Sequence, residues 1–94
     1  MAPPAAASPS PQLRPLLTTE QETDLNRRFQ RSLEQAEKSL GRVPPHRQQE
    51  VSVERAKAFI KQAQQAQRQG DLIRATSLAE RAELLASELA QTPR

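Results

Sequence analysis

The 94-residue chain contains no cysteine, no tryptophan and no tyrosine, and only two phenylalanines, two glycines, one methionine and one histidine. Without cysteine there is no disulfide framework, no thiolate nucleophile and no cysteine-ligated zinc. The scarcity of aromatic rings removes the stacking platforms on which single-stranded nucleic acid is commonly held. The two rings present, Phe29 and Phe59, both fall on apolar stripes. Two separated glycines cannot build a phosphate-cradling loop. No stretch approaches the ~18 apolar residues of a membrane span, and the N-terminus has no leucine- or valine-rich signal core. There is also no alternating run of β-branched or aromatic residues of the kind that specifies strands.

The lone histidine, His46, has only Glu50 one turn further on as a second ligand. Such a pair falls short of a four-coordinate zinc site. His46 also lies beside two prolines, with no pattern around it that would shape a pocket for acid–base work. The Glu-x-x-His repeats of di-iron bundles are absent. These absences together lead us to expect no enzyme activity, no metal and no cofactor.

Five of the eight prolines, Pro3, Pro4, Pro9, Pro11 and Pro15, crowd into the first fifteen residues among alanines and serines. Proline removes backbone donors and biases its predecessor to extended geometry, so residues 1–18 are expected to be a disordered linker. Residues 4–11 are a candidate Pro-rich ligand segment within it. A helical domain over 19–91 follows.

Three amphipathic helices are expected. The first, 19–40, has a capping box at Thr19 and Glu22, then Leu25, Phe29, Leu33, Ala36 and Leu40 on one stripe, with Gly41 as a left-handed cap. Ion pairs Asp24–Arg28 and Glu34–Lys38 have the favourable acid-first spacing. The second helix, 46–69, starts after a turn at Val43-Pro44-Pro45 and carries Val53, Ala56, Phe59, Ile60, Ala63 and Ala66. Gly70-Asp71 is the sharpest local signal, a helix stop followed directly by a helix N-cap. The third helix, 71–90, places Leu72, Ala75, Leu78, Ala79, Ala82, Leu85, Ala86 and Leu89 on one broad face. The expected fold is all-α, an antiparallel three-helix up-down-up bundle. The helix over 19–40 either docks on the other two or packs on another copy. A domain of this size buries about 60% of its unfolded surface, leaving no room for a separate ligand cavity.

Residues 56–89 resemble a single tetratricopeptide-type helical hairpin. Phe59 fills the aromatic position, Ala63 and Ala66 the close-packing positions, Gly70-Asp71 the turn, and Ala75 and Ala82 the two alanine positions, with Leu78 and Leu85 apolar as in that family. Gln62, Ala79 and Ser87 depart from its pattern. The match covers one hairpin, and superhelical grooves need stacked repeats. The resemblance therefore implies a helical-hairpin packing mode and not the family's peptide-binding activity.

Two sets of residues are left over from the core pattern. Val51, Ile73 and Leu84 are apolar but lie off the core stripes, which makes them a candidate partner surface. Arg47, Lys57, Lys61 and Arg68 share a face of the second helix and form a candidate stripe for an anionic ligand. Glu50 and Glu54 interrupt that stripe. The net charge of +3 arises from 14 basic and 11 acidic residues that are largely interleaved, which disfavours nucleic acid and membranes as partners. The function expected is a non-catalytic module for protein–protein interaction or self-association. The alternatives are a weak binder of nucleic acid or anionic membrane, and a helical accessory domain of a larger envelope protein.

Overall fold

The computed structural model describes residues 17–91. The linker expected over 1–18 lies outside the described residues apart from Leu17 and Thr18, as do Thr92 and Pro93. Three helices are present, α1 (Thr19–Gly41), α2 (Val51–Arg68) and α3 (Leu72–Gln91), with a short 3-10 turn at Pro45–Arg47 before α2. No strand occurs among the described residues.

The boundaries differ from expectation where tertiary contacts compete with local pattern. The N-cap of α1 is Thr18, one residue earlier than expected. Its Oγ accepts from the Gln21 N–H at 3.0 Å and its own N–H donates to Gln21 Oε1 at 2.9 Å. Thr18 and Thr19 each have a Gln or Glu three residues on, so the pattern alone does not choose between them. Gly41 is not a left-handed cap. It stays helical, and the Arg42 and Val43 N–H groups donate to Ser39 and Leu40 carbonyls in a tightened last turn. The chain then drives Val43 into the core instead of leaving it in a turn.

The second helix begins at Val51, not 46. Pro44 and Pro45 start a 3-10 turn, and the Gln48 side chain is drawn back to donate to the Leu40 and Val43 carbonyls at 3.2 and 2.7 Å. These carbonyls lie in and just after the last turn of α1, where helix geometry leaves acceptor capacity to be filled. A continuous helix from 46 would take Gln48 away from them. At the other end of α2, Gly70 has φ of 80°, the one left-handed glycine among the described residues. The Asp71 N–H reaches the Ala66 carbonyl and the Gly70 N–H the Gln67 carbonyl, both at 2.9 Å, which makes a Schellman motif. Asp71 Oδ1 then accepts from the Arg74 N–H and caps α3.

The arrangement is up-down-up, with α1 and α3 parallel and α2 antiparallel to both. α3 occupies the middle position. α1 and α2 each pack along it, and they meet one another only sparsely. Docking of α1 within the same chain resolves the two options left open by the sequence. The core has two parts. Towards the α1–α2 connection, Ala36, Leu40, Val43, Val53, Ala56, Ile60, Ala82, Ala86 and Leu89 pack together. Towards the hairpin lie Phe29, Ala63, Ala66, Ala75, Leu78 and Ala79. Leu33 and Phe59 touch both and join them. Ser32, Ser39 and Thr76 are buried too, and the Thr76 hydroxyl crosses from α3 to donate to the Leu25 carbonyl of α1 at 3.1 Å.

The two aromatic rings are not equivalent. Phe29 is 1% exposed, whereas Phe59 is only half-buried and borders solvent between α2 and α3. Removing a ring from a closed core leaves a cavity, while a half-open site can relax. Phe29→Ala is therefore expected to cost about 3–5 kcal/mol, and Phe59→Ala clearly less. Urea titrations of the two variants check this, and equal losses would place Phe59 in the closed core.

Candidate interaction surface

Because α3 has a helix on each flank, its third side faces outward. Ile73 and Leu84 lie on that side, 56% and 64% exposed. Their spacing of eleven residues is close to three helical turns, so they project the same way. Val51 is also exposed, but it is the first residue of α2, at the end remote from the Gly70 turn. The structure thus brings Ile73 and Leu84 into one line and leaves Val51 apart.

Ile73 also borders two grooves. The first, of about 390 Å³, runs between α1 and α3, with Leu17, Leu25 and Ile73 as its apolar part and Glu20, Asp24 and Arg28 around them. The charges here are closed on one another. Arg28 places Nη2 and Nε at 2.9 and 3.1 Å from Glu80 Oε2, and Nη1 at 3.8 Å from Asp24. The hydrogen bond to Glu80 holds the guanidinium even more firmly protonated than usual. Asp24 lies 3.5 Å from Arg27 as well.

The second groove, of about 590 Å³, runs between α2 and α3. Phe59, Leu78 and Ile73 form its apolar part, and Gln62, Ser77, Asp71, Arg74 and Arg81 its polar margin. Phe59 packs against both parts of the core yet stays half-open at the seam between α2 and α3. Sequence periodicity placed Phe59 on the core stripe and missed this groove. Its exposure depends on how the two helices are rotated about their axes, which no local signal records.

The four candidate cations do not form one stripe. Lys57, Lys61 and Arg68 are exposed on α2, with Glu54 among them. Arg47 is on the 3-10 turn instead, and its side chain is 11% exposed. Its Nε and Nη2 donate to the two Glu50 oxygens at 3.0 and 3.1 Å, and Nη1 to the Leu89 carbonyl at 3.3 Å. That fork ties the α1–α2 connection to the C-terminal turn of α3, where free carbonyls need donors. The Arg-x-x-Glu spacing was a readable signal for the pair, but the Leu89 contact was not. Of the surface ion pairs expected on α1, Asp24–Arg28 is present, whereas Glu34–Lys38 is not among the ion pairs of the described residues.

His46 is exposed on the 3-10 turn. Among the described residues no three His, Cys, Asp or Glu side chains come together to hold a metal ion, and no helix is long and apolar enough to cross a membrane.

The hydrogen bond from Arg47 holds the Glu50 carboxyl below its usual range, against the opposing effect of desolvation. A depressed carboxyl pKa contributes stability above the unfolded-state value and loses it as pH falls through the folded-state value. Arg47→Ala is expected to lower the denaturation midpoint at neutral pH, with the gap to wild type closing as pH drops below the ordinary carboxylate range. The same variant should leave weak duplex-DNA binding unchanged, whereas Lys57→Ala with Lys61→Ala should weaken it and spare the midpoint. Midpoints measured across pH, with fluorescence anisotropy on labelled DNA, check both halves.

No family model matches the chain, and no curated protein or solved structure matches it either.

Proposed function

We propose that the chain is a non-catalytic protein–protein interaction module whose contact surface is the outward side of α3 with the grooves beside it. The observation that carries this reading is the pairing of Ile73 and Leu84. Two large aliphatic side chains, each more than half exposed, lie in line on the helix that both other helices depend on. Single exposed apolar residues are ordinary. An aligned pair of which one member, Ile73, also borders a groove holding a half-open phenylalanine fits a binding face. Position matters as well, because a contact made on the central helix is presented by the most supported element of the fold. The resemblance of residues 56–89 to a tetratricopeptide-type hairpin fits a scaffold role and adds no ligand.

The anionic-ligand alternative is weakened by the place of Arg47. Its guanidinium is occupied within the fold, which leaves three cations with Glu54 among them. A few exposed cations neutralise few phosphates and give weak, salt-sensitive attachment.

Ile73→Ser with Leu84→Ser should change stability by less than about 0.5 kcal/mol, as surface substitutions away from the core usually do. The same double variant should lose self-association or capture of a specific partner. Melting curves, sedimentation velocity and quantitative co-precipitation on the same samples separate the effects. Unfolding by Ile73→Ser would assign that residue to the core, and unchanged association and capture would remove α3 as the contact surface.

A further inference from the structure

The two grooves beside Ile73 are both partly apolar, yet their charges are disposed differently. In the α1–α3 groove, Arg28 is held by Glu80 and Asp24, so its charge is met within the chain. In the α2–α3 groove, Arg74 and Arg81 stand seven residues apart along α3, two turns on one flank, and both are exposed. Arg55 lies four residues before Phe59 on α2, on the same side of that helix, and is exposed too. None of these three arginines forms an ion pair among the described residues, where the ion pairs involve Arg27, Arg28 and Arg47. The acid lining the groove is Asp71, and its Oδ1 already accepts from the Arg74 N–H. The result is a groove with Phe59 and Leu78 at its base, Arg74 and Arg81 along its α3 side with Ile73 beyond them, and Arg55 one turn before Phe59 on the α2 side.

We propose that the α2–α3 groove binds an acidic amphipathic helix of a partner protein. The apolar stripe of that helix would seat on Phe59, Ile73 and Leu78, with its flanking carboxylates facing Arg55, Arg74 and Arg81. This inference rests on the reading of the chain as an interaction module and names the chemistry of its partner. A helix fits because the groove lies between two antiparallel helices, where a third can pack along both. An extended peptide would find no strand edge among the described residues to pair with. A second copy of this chain fits less well. A two-fold pairing through this groove would set Arg74 and Arg81 against the same cations of the other copy. The apolar residues supply affinity, while the exposed arginines select the sign of the partner's charge and speed the encounter.

The test uses the full chain and two capped helical peptides of about 18 residues. Both carry the same leucine stripe, at i, i+4, i+7 and i+11, flanked by Glu in one and by Lys in the other. Anisotropy and amide shift mapping are run at low and high salt. The Glu peptide should bind at least roughly tenfold more tightly, with that advantage shrinking at high salt. Shifts should concentrate at Phe59, Ile73, Ser77, Leu78 and Arg81. Arg74→Glu with Arg81→Glu should reverse the preference and leave the melting curve unchanged. Four results would overturn the proposal: equal binding of the two peptides, binding of neither, shifts confined to the α1–α3 groove, or tighter binding to duplex DNA or to equimolar phosphatidylserine–phosphatidylcholine vesicles than to the Glu peptide. If the Glu peptide fails while Ile73→Ser with Leu84→Ser still abolishes association or capture, the module reading stands with a partner of other chemistry. If both experiments fail, the module reading falls as well.

Discussion

The close approach of two helices to a third is the constraint on which the rest of this structure depends. α3 presents Ala75, Ala79, Ala82 and Ala86, all fully buried, and the helices on either flank answer with Ala36 on α1 and Ala56 and Ala63 on α2. Alanine contributes little apolar area, so these contacts draw their stability from backbones brought close together and from dense packing. One phenylalanine and one valine are the large apolar side chains closed off completely. A core of this kind has little slack, because a side chain any larger at these positions must push two helices apart.

The same constraint accounts for what lies outside. With the buried sides of α3 turned to the two flanking helices, its aliphatic residues at 73 and 84 project from the opposite side of the helix and emerge on the outward face. Phe59 is left half-open at the edge of the core, between α2 and α3. The apolar groove is thus a by-product of the packing that holds the fold. Polar side chains then secure the ends, with Gln48 closing the carbonyls of α1, Arg47 reaching Leu89, and Thr76 joining α3 to α1. Each spans elements remote in sequence or crosses a turn, and Gln48 and Arg47 together fix the α1–α2 connection that lacks a Gly-Asp hairpin of its own.

What could be read from the sequence was what chemistry states locally. The three helices follow from apolar stripes at helical spacing, and the Gly70-Asp71 turn from a left-handed glycine followed by a capping aspartate. The start of α2 was not legible, because Pro44-Pro45 permits either an immediate helix or a 3-10 turn, and the choice is made by Gln48 reaching back to α1. Val43 read as a turn residue for the same reason. Arg47 read as a surface cation because its partner at Leu89 is 42 residues away. At the candidate surface, Ile73 and Leu84 were visible as apolar residues off the stripe. The groove at Phe59, with the arginines that line it, required the relative rotation of α2 and α3.

Substituting a larger residue on the buried side of α3 tests the central role of these alanines most directly. Ala82 is fully buried where all three helices contribute to the core. In urea titrations Ala82→Leu should lose about 1–3 kcal/mol through overpacking, while Leu84→Ala, two residues along the same helix, should stay near neutral. An Ala82→Leu variant as stable as wild type, or more so, would contradict the account, since it would mean that the flanks of α3 hold space that close packing excludes.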